Sequence, residues 1–211
     1  QGEGYKIYSV RWPVFEGVWG EGLLVEPEGE VRASLVLLSD ADQAPRSLFF
    51  DNPLNTAYAA QLAQPQTRIL IPVLVNRSDT WSGHPEVRMT NQPHREWIYR
   101  AAYQMGRHVI GYEVQKVQAA IDWLVQQAPE APIGVTGYGE GGLIALHTAA
   151  LDIRIGATLV SGYFGPREGL WEEPIYRNVW SLLKDFGDGE LAAMIAPRTL
   201  VVEPAAPPEI T

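Results

Sequence analysis

The chain has 211 residues and no cysteine. That excludes disulfides, thiol catalysis and thiolate metal sites, and it leaves the compartment open. Positive charge is scarce: 16 Lys and Arg stand against 25 Asp and Glu, a formal net charge of −9. A nucleic-acid partner needs a basic face to neutralise phosphates, so that class is set aside. No apolar run reaches the ~20 residues of a membrane span, so no membrane partner is expected. Position 1 is not Met, from which an upstream segment is expected to have been removed. Secretion or periplasmic export is preferred to the cytoplasm. Repeats, low-complexity runs and an interdomain linker are missing as well. The expectation is one domain over residues 1–211, part of a longer protein and large enough for a substantial core. Hydrophobic content of 46% and charged content of 19% fit an ordinary globular protein.

What is present alternates between strand and helix signals. Residues 5–12 and 17–26 alternate apolar and polar, as an antiparallel hairpin would. Residues 33–38 and 68–75 read as buried strands, the second interrupted by Pro72. A short helix is expected at 55–64, an irregular segment at 76–97, and a long helix with Ile110, Val114, Val117, Ile121 and Leu124 on one stripe. Further strands are expected at 133–135, 157–160 and 199–202, with a Trp-rich excursion over 162–188. This order predicts a mostly parallel sheet with helices on both faces and an N-terminal antiparallel hairpin. Ligands of such sheets bind at the carboxyl ends of the strands. That rim would carry Asp40, Asp42, Asp79, Gly139, Glu140, Ser161, Tyr163 and Glu203.

The sequence turns on I-G-V-T-G-Y-G-E-G-G-L-I-A, residues 133–145. A short apolar strand runs into closely spaced glycines, and helical spacing resumes at Leu143, Ile144, Leu146 and Ala149. Strand, tight turn and helix is the setting of the G-x-S-x-G nucleophile elbow. Here the pattern is G-x-G-x-G, with Gly139 where the nucleophile would stand. Gly137, Gly139 and Gly142 also fit the dinucleotide spacing G-x-G-x-x-G. That fingerprint usually opens the first βα unit and is followed by an acid after the next strand. Ser161-Gly162 stands there instead, so no nucleotide cofactor is expected.

The strand order, the elbow after the fifth strand, G-R-H-V-I-G-Y-E-V-Q-K-V (106–117) and G-Y-G-E-G-G-L-I-A-L-H-T-A-A-L-D-I-R-I (137–155) carry a resemblance. Together they resemble the acetyl xylan esterase and dienelactone hydrolase branch of the α/β-hydrolases, over roughly residues 16–203. The resemblance implies an α/β-hydrolase fold with the C-terminal part of the full fold absent, and carboxylic-ester hydrolysis without a cofactor. It places the nucleophile at Gly139 and the acid near Glu203, and gives the histidine no position before Thr211. Acyl transfer needs a nucleophile, a base and an oxyanion hole. Gly139 offers no side chain, and the carboxylate of Glu140 would oppose a developing oxyanion. A catalytically silent module for binding or architecture is therefore the first expectation.

Other side chains could take over the missing roles. Ser161 follows the next strand and faces the same crevice, so it is the best alternative nucleophile for an active esterase. His147 on the elbow helix reads as packed or exposed, and His108 as a helix-opening cap. His84 and His94, with Asp79, Glu86 and Glu96 nearby, could hold a metal-activated water, but regular ligand spacing is lacking, so no metal is expected. Trp81 and Trp97 in the same polar segment, with Trp171 and Trp180, could stack on sugar rings; otherwise they pin loops. A carbohydrate or a small ester is the expected ligand. The acid pairs Glu172-Glu173 and Asp40/Asp42 read as solvated charge, not as a glycosidase pair.

Overall fold

The computed structural model describes residues 4–50, 59, 62, 66–79, 86, 89, 91–208 and 210. Strands β1 (Tyr5–Phe15) and β2 (Val18–Pro27) form the opening hairpin. Then come β3 (Ala33–Leu38), the one-turn helix α1 (Ser47–Phe50) and β4 (Thr67–Pro72). Helices α2 (His94–Gln104) and α3 (Val109–Gln127) lead to β5 (Ile133–Tyr138) and α4 (Glu140–Leu151). After β6 (Ile155–Ser161) the chain makes 3-10 turns at Leu170–Glu172 and Ile175–Arg177, then α5 (Leu182–Asp185), α6 (Asp188–Ile195) and β7 (Thr199–Glu203). These strands make one sheet in the order β1-β2-β4-β3-β5-β6-β7. The contacts β1–β2 and β2–β4 are antiparallel, and the remaining four are parallel.

Alternate residues of β3 enter two different cores, which is the period-two pattern of a strand buried on both sides. Val36 and Leu38 pack with Val117, Ile121, Leu143 and Ile144 of α3 and α4. Leu35 and Leu37 point to the opposite face, against Val25, Ile69, Ile71 and Phe49. Helix α4 is apolar nearly all round and buried from Gly141 to Leu146, as an interior helix must be. In the sheet, β3 has β4 on one side and β5 on the other, so the crossover directions reverse there. The switch point puts the ligand crevice beyond the carboxyl ends of β3 and β5.

Three expectations change. The strand after 68 stops at Pro72, which has no N–H to continue the ladder, and the chain then turns to deliver Arg77. Helix α2 begins at His94, so Trp97 lies on a helix and not in an irregular segment. Its buried positions are Arg95, Tyr99 and Ala102; an arginine on the buried stripe hides the apolar period. Helix α6 was not foreseen, because only Leu191 and Ile195 in it are buried apolar residues. The helix expected at 55–64 lies largely outside the described residues, although Ala59 and Leu62 are helical.

Candidate functional site at the elbow

Between β5 and α4 the chain reverses on a single residue. Gly139 has φ +59° and ψ −120°, a conformation in which a non-glycine residue is strained by about 1–3 kcal/mol. Its N–H is held by the carbonyl of Ser161 at 3.0 Å, and its carbonyl accepts from Leu143 at 3.0 Å. Gly141 is required for a different reason: a Cβ there would run into the backbone of Leu38 and Ser39, against which α4 starts. The sharp turn and the close seating of the helix thus account for the glycine spacing.

The space a nucleophile's side chain would fill is occupied. A Cβ on Gly139 would collide with Asp40 Oδ1 and come within 2.7 Å of Pro208 Cγ. Residues 204–208 cross the elbow here, with Tyr138 Oη donating to the Ala206 carbonyl at 3.1 Å. More telling is the backbone N–H of Glu140, the residue after the elbow, which serves as an oxyanion donor in hydrolases of this fold. It donates to Asp40 Oδ1 at 2.9 Å. This backbone donor is thus engaged by a carboxylate within the protein.

Asp40 is held there by Arg77. Five hydrogen bonds use the Arg77 guanidinium: to Tyr176 Oη at 2.9 Å, Asp40 Oδ2 at 2.6 Å and Oδ1 at 3.1 Å, Asp42 Oδ2 at 2.8 Å, and Glu140 Oε1 at 3.1 Å. That matches the five donors of the group. Burial alone would raise the Asp40 pKa, but the bonds from Arg77 and from the Glu140 N–H outweigh it and hold the carboxyl below its ordinary value.

Glu140 is fully buried, and its carboxylate is paired with arginines. Arg177 Nε donates to its Oε1 at 2.7 Å, and Arg95 Nη2 lies 3.4 Å from its Oε2. Arg95, fully buried, grips Glu113 through two bonds of 2.8 and 2.6 Å. Three guanidiniums, Arg77, Arg95 and Arg177, thus interleave with three carboxylates, Asp40, Glu113 and Glu140. Taking such charges out of water is unfavourable unless each is paired, and here each is. The cage ties together α2, α3, the elbow, the β4 exit and the Ile175–Arg177 turn.

The other expected positions fall as follows. Ser161 is buried at the end of β6, and among the described residues no histidine is hydrogen-bonded to its hydroxyl. Glu203 is exposed at the end of β7, paired in register with Ser161. Asp40 and Tyr163 line the rim; the Asp40 oxygens are already engaged, and the Tyr163 ring carries Arg167 and Arg177 at 4.8 and 5.8 Å. Asp79 and Trp97 are exposed. His94 opens α2, its pKa lowered by burial and by Lys116. Trp81 and His84 lie outside the described residues. His108 caps α3: its Nδ1 accepts from Ile110 N–H at 3.1 Å, which makes Nε2 the donor to the Asn178 carbonyl at 3.2 Å. His147 Nδ1 bonds the Leu143 carbonyl at 2.9 Å. Among the described residues no group of three His, Asp or Glu converges as a metal site would require. The arginines of the cage were not singled out in the sequence. Their signal was there: Asp40 and Asp42 follow one strand, and Arg77 follows the strand beside it.

The architecture is the α/β-hydrolase fold. A protein described as an acetyl xylan esterase, from Bacteroides fragilis, superposes with a TM-score of 0.75 at 14% identity, over 96% of this chain and 60% of that one. A methylesterase superposes at 0.60 and 16% identity, over 96% of this chain and 42% of its own. A cold-adapted esterase from an Arctic intertidal metagenomic library reaches 0.57 at 16% identity, covering 98% and 87%. This chain therefore shares the fold of these proteins and spans 60% of the length of the first of them. No protein-family model and no curated protein matches the sequence.

Proposed function

We propose that this chain is a catalytically silent α/β-hydrolase-fold module that serves binding or architecture within a longer protein, with a carbohydrate as ligand. The bond from the Glu140 N–H to Asp40 carries this reading. An oxyanion hole acts by offering unengaged donors to charge that develops in the transition state. Here the donor is spent on an internal anion, and a tetrahedral oxyanion would have to displace a buried carboxylate bound to Arg77. Gly139 supplies no attacking atom. The esterase neighbours support the origin of the fold, and the engaged Glu140 N–H supports the silent reading.

The test is covalent. The chain is incubated with a fluorophosphonate and its intact mass is measured. No adduct is expected. A stoichiometric adduct that maps to Ser161 would overturn the proposal and make Ser161 a nucleophile.

A further inference from the structure

Away from the elbow, α2 and the 175–180 segment enclose an open depression of about 430 Å³. Its floor is Tyr99, and its walls include Tyr103 and Trp180. Arg100, Gln104 and Asn178 stand among the lining side chains. Trp180 is 79% exposed and Tyr103 49%, so two aromatic faces remain in water beside a concave surface. Apolar surface that is contiguous and rimmed by polar residues is what marks a ligand groove or contact site.

We infer that this depression binds a neutral sugar ring, stacked on Trp180 and bonded at its hydroxyl edge by Arg100, Gln104 and Asn178. This rests on the carbohydrate part of the function proposed above and is independent of the silent elbow. A pyranose has an apolar C–H face and a rim of hydroxyls, matching aromatic walls with amide and guanidinium groups beside them. The side-chain amides of Gln104 and Asn178 have no hydrogen-bond partner among the described residues and are open to a ligand's hydroxyls. Arg100 uses Nε and Nη2 on Glu96, at 2.9 and 2.7 Å, which also cancels the local charge. With the chain at −9, an anionic ligand would be repelled, whereas a neutral one is not. The volume falls within the ~300–1,000 Å³ typical of small-ligand clefts.

The depression is also held in shape before any ligand arrives. Tyr99 meets His108 edge to face at 5.0 Å, and His108 Nε2 donates to the Asn178 carbonyl at 3.2 Å. One imidazole thus fixes the floor and the opposite wall together, and preorganisation of this kind lowers the ordering cost of binding.

The test follows tryptophan fluorescence while xylohexaose, and in parallel cellohexaose, is titrated into the chain, with calorimetry beside it. Saturable binding of at least one glycan is expected, weakened about tenfold or more by Trp180→Ala and by Tyr103→Ala, as for an aromatic anchor. Trp171→Ala, equally exposed at 79% but outside the depression, is expected to leave affinity unchanged. Both aromatic positions are exposed enough that the variants keep the core, and Gln104→Ala gives a third reading at the polar edge. No binding of either glycan overturns the inference, as does binding indifferent to Trp180→Ala. Capture of a proline-rich peptide at Trp180 in place of glycan would also overturn it. Ester turnover by the chain would refute the silent elbow and leave this site untouched, so the two failures are distinct.

Discussion

Asp40 Oδ1 accepts the Glu140 backbone N–H at 2.9 Å, joining two residues one hundred positions apart in the chain. The contact closes the elbow from the side of β3 and sets what each neighbouring substitution should do.

Restoring the missing hydroxyl should not restore a reaction. Gly139→Ser puts a side chain at φ +59° and drives its Cβ onto Asp40 and toward Pro208. The expected outcome is a loss of about 1–3 kcal/mol from the strained backbone, more once the collision is added, and no ester turnover. Urea unfolding beside an acetyl-ester assay checks both; a stable, active Gly139→Ser would show that the space is free.

Asp40→Asn keeps the shape and removes the charge, leaving Arg77 buried without its main counterion. Breaking a buried pair in this way is expected to cost about 3–5 kcal/mol in urea unfolding. The pH dependence carries a sign as well. The Asp40 pKa is held below 3.8 in the fold, so its contribution is fully present above that value and is lost as pH falls through the folded pKa. Acid unfolding of the wild type should therefore steepen below about pH 4, and Asp40→Asn should show less of that steepening. Equal acid sensitivity in both proteins would remove Asp40 from the cage.

Burial in the arginine cage should separate pairs that look alike in sequence. Arg95→Met leaves Glu113 buried without its bidentate partner and is expected to lower stability by about 3–5 kcal/mol. Arg100→Met breaks only the half-exposed pair with Glu96 and should stay within about 0.5 kcal/mol. Similar losses at the two sites, measured by thermal or urea unfolding, would contradict the structure.

His108 should act as a cap that works only when neutral. Burial lowers its pKa from 6.5 against the partial compensation of its bond to Asn178, so its stabilisation is complete above 6.5 and is lost as pH falls through the folded value. The pKa values of His94 and His147 are lowered by burial too, so stability should decline from pH 7 toward 5. His108→Asn can still cap α3 but cannot titrate there, so the decline should shrink; His108→Ala should lose about 1 kcal/mol at neutral pH. A melting-temperature profile that keeps its slope in His108→Asn would rule out this role.

Much of the fold was legible because its long apolar segments keep clean periods. The stripe on α3 and the buried runs of β3, β5 and β6 each fit one spacing and one burial pattern. Helix α2 was not, because the side chain it buries most deeply is Arg95, whose partner Glu113 lies on another helix. Propensity and pattern are local, and the pairing that makes an arginine a core residue is not. Gly139 was readable as a departure at a known position. That Asp40 fills the resulting space was not, since it depends on β3 and β5 lying side by side. The Trp180 depression is half legible: Trp180 stands in sequence among the tryptophans that could stack on a sugar, but Tyr99, Tyr103 and His108 join it only through the fold.

The most direct measurement is hydrolysis of 4-nitrophenyl acetate by this chain beside Gly139→Ala, which adds a methyl at the elbow and no nucleophile. The expected result is no turnover above buffer in either protein, because the Glu140 donor is engaged by Asp40. Turnover above buffer that survives Gly139→Ala would contradict the silent elbow and place the chemistry elsewhere in the molecule.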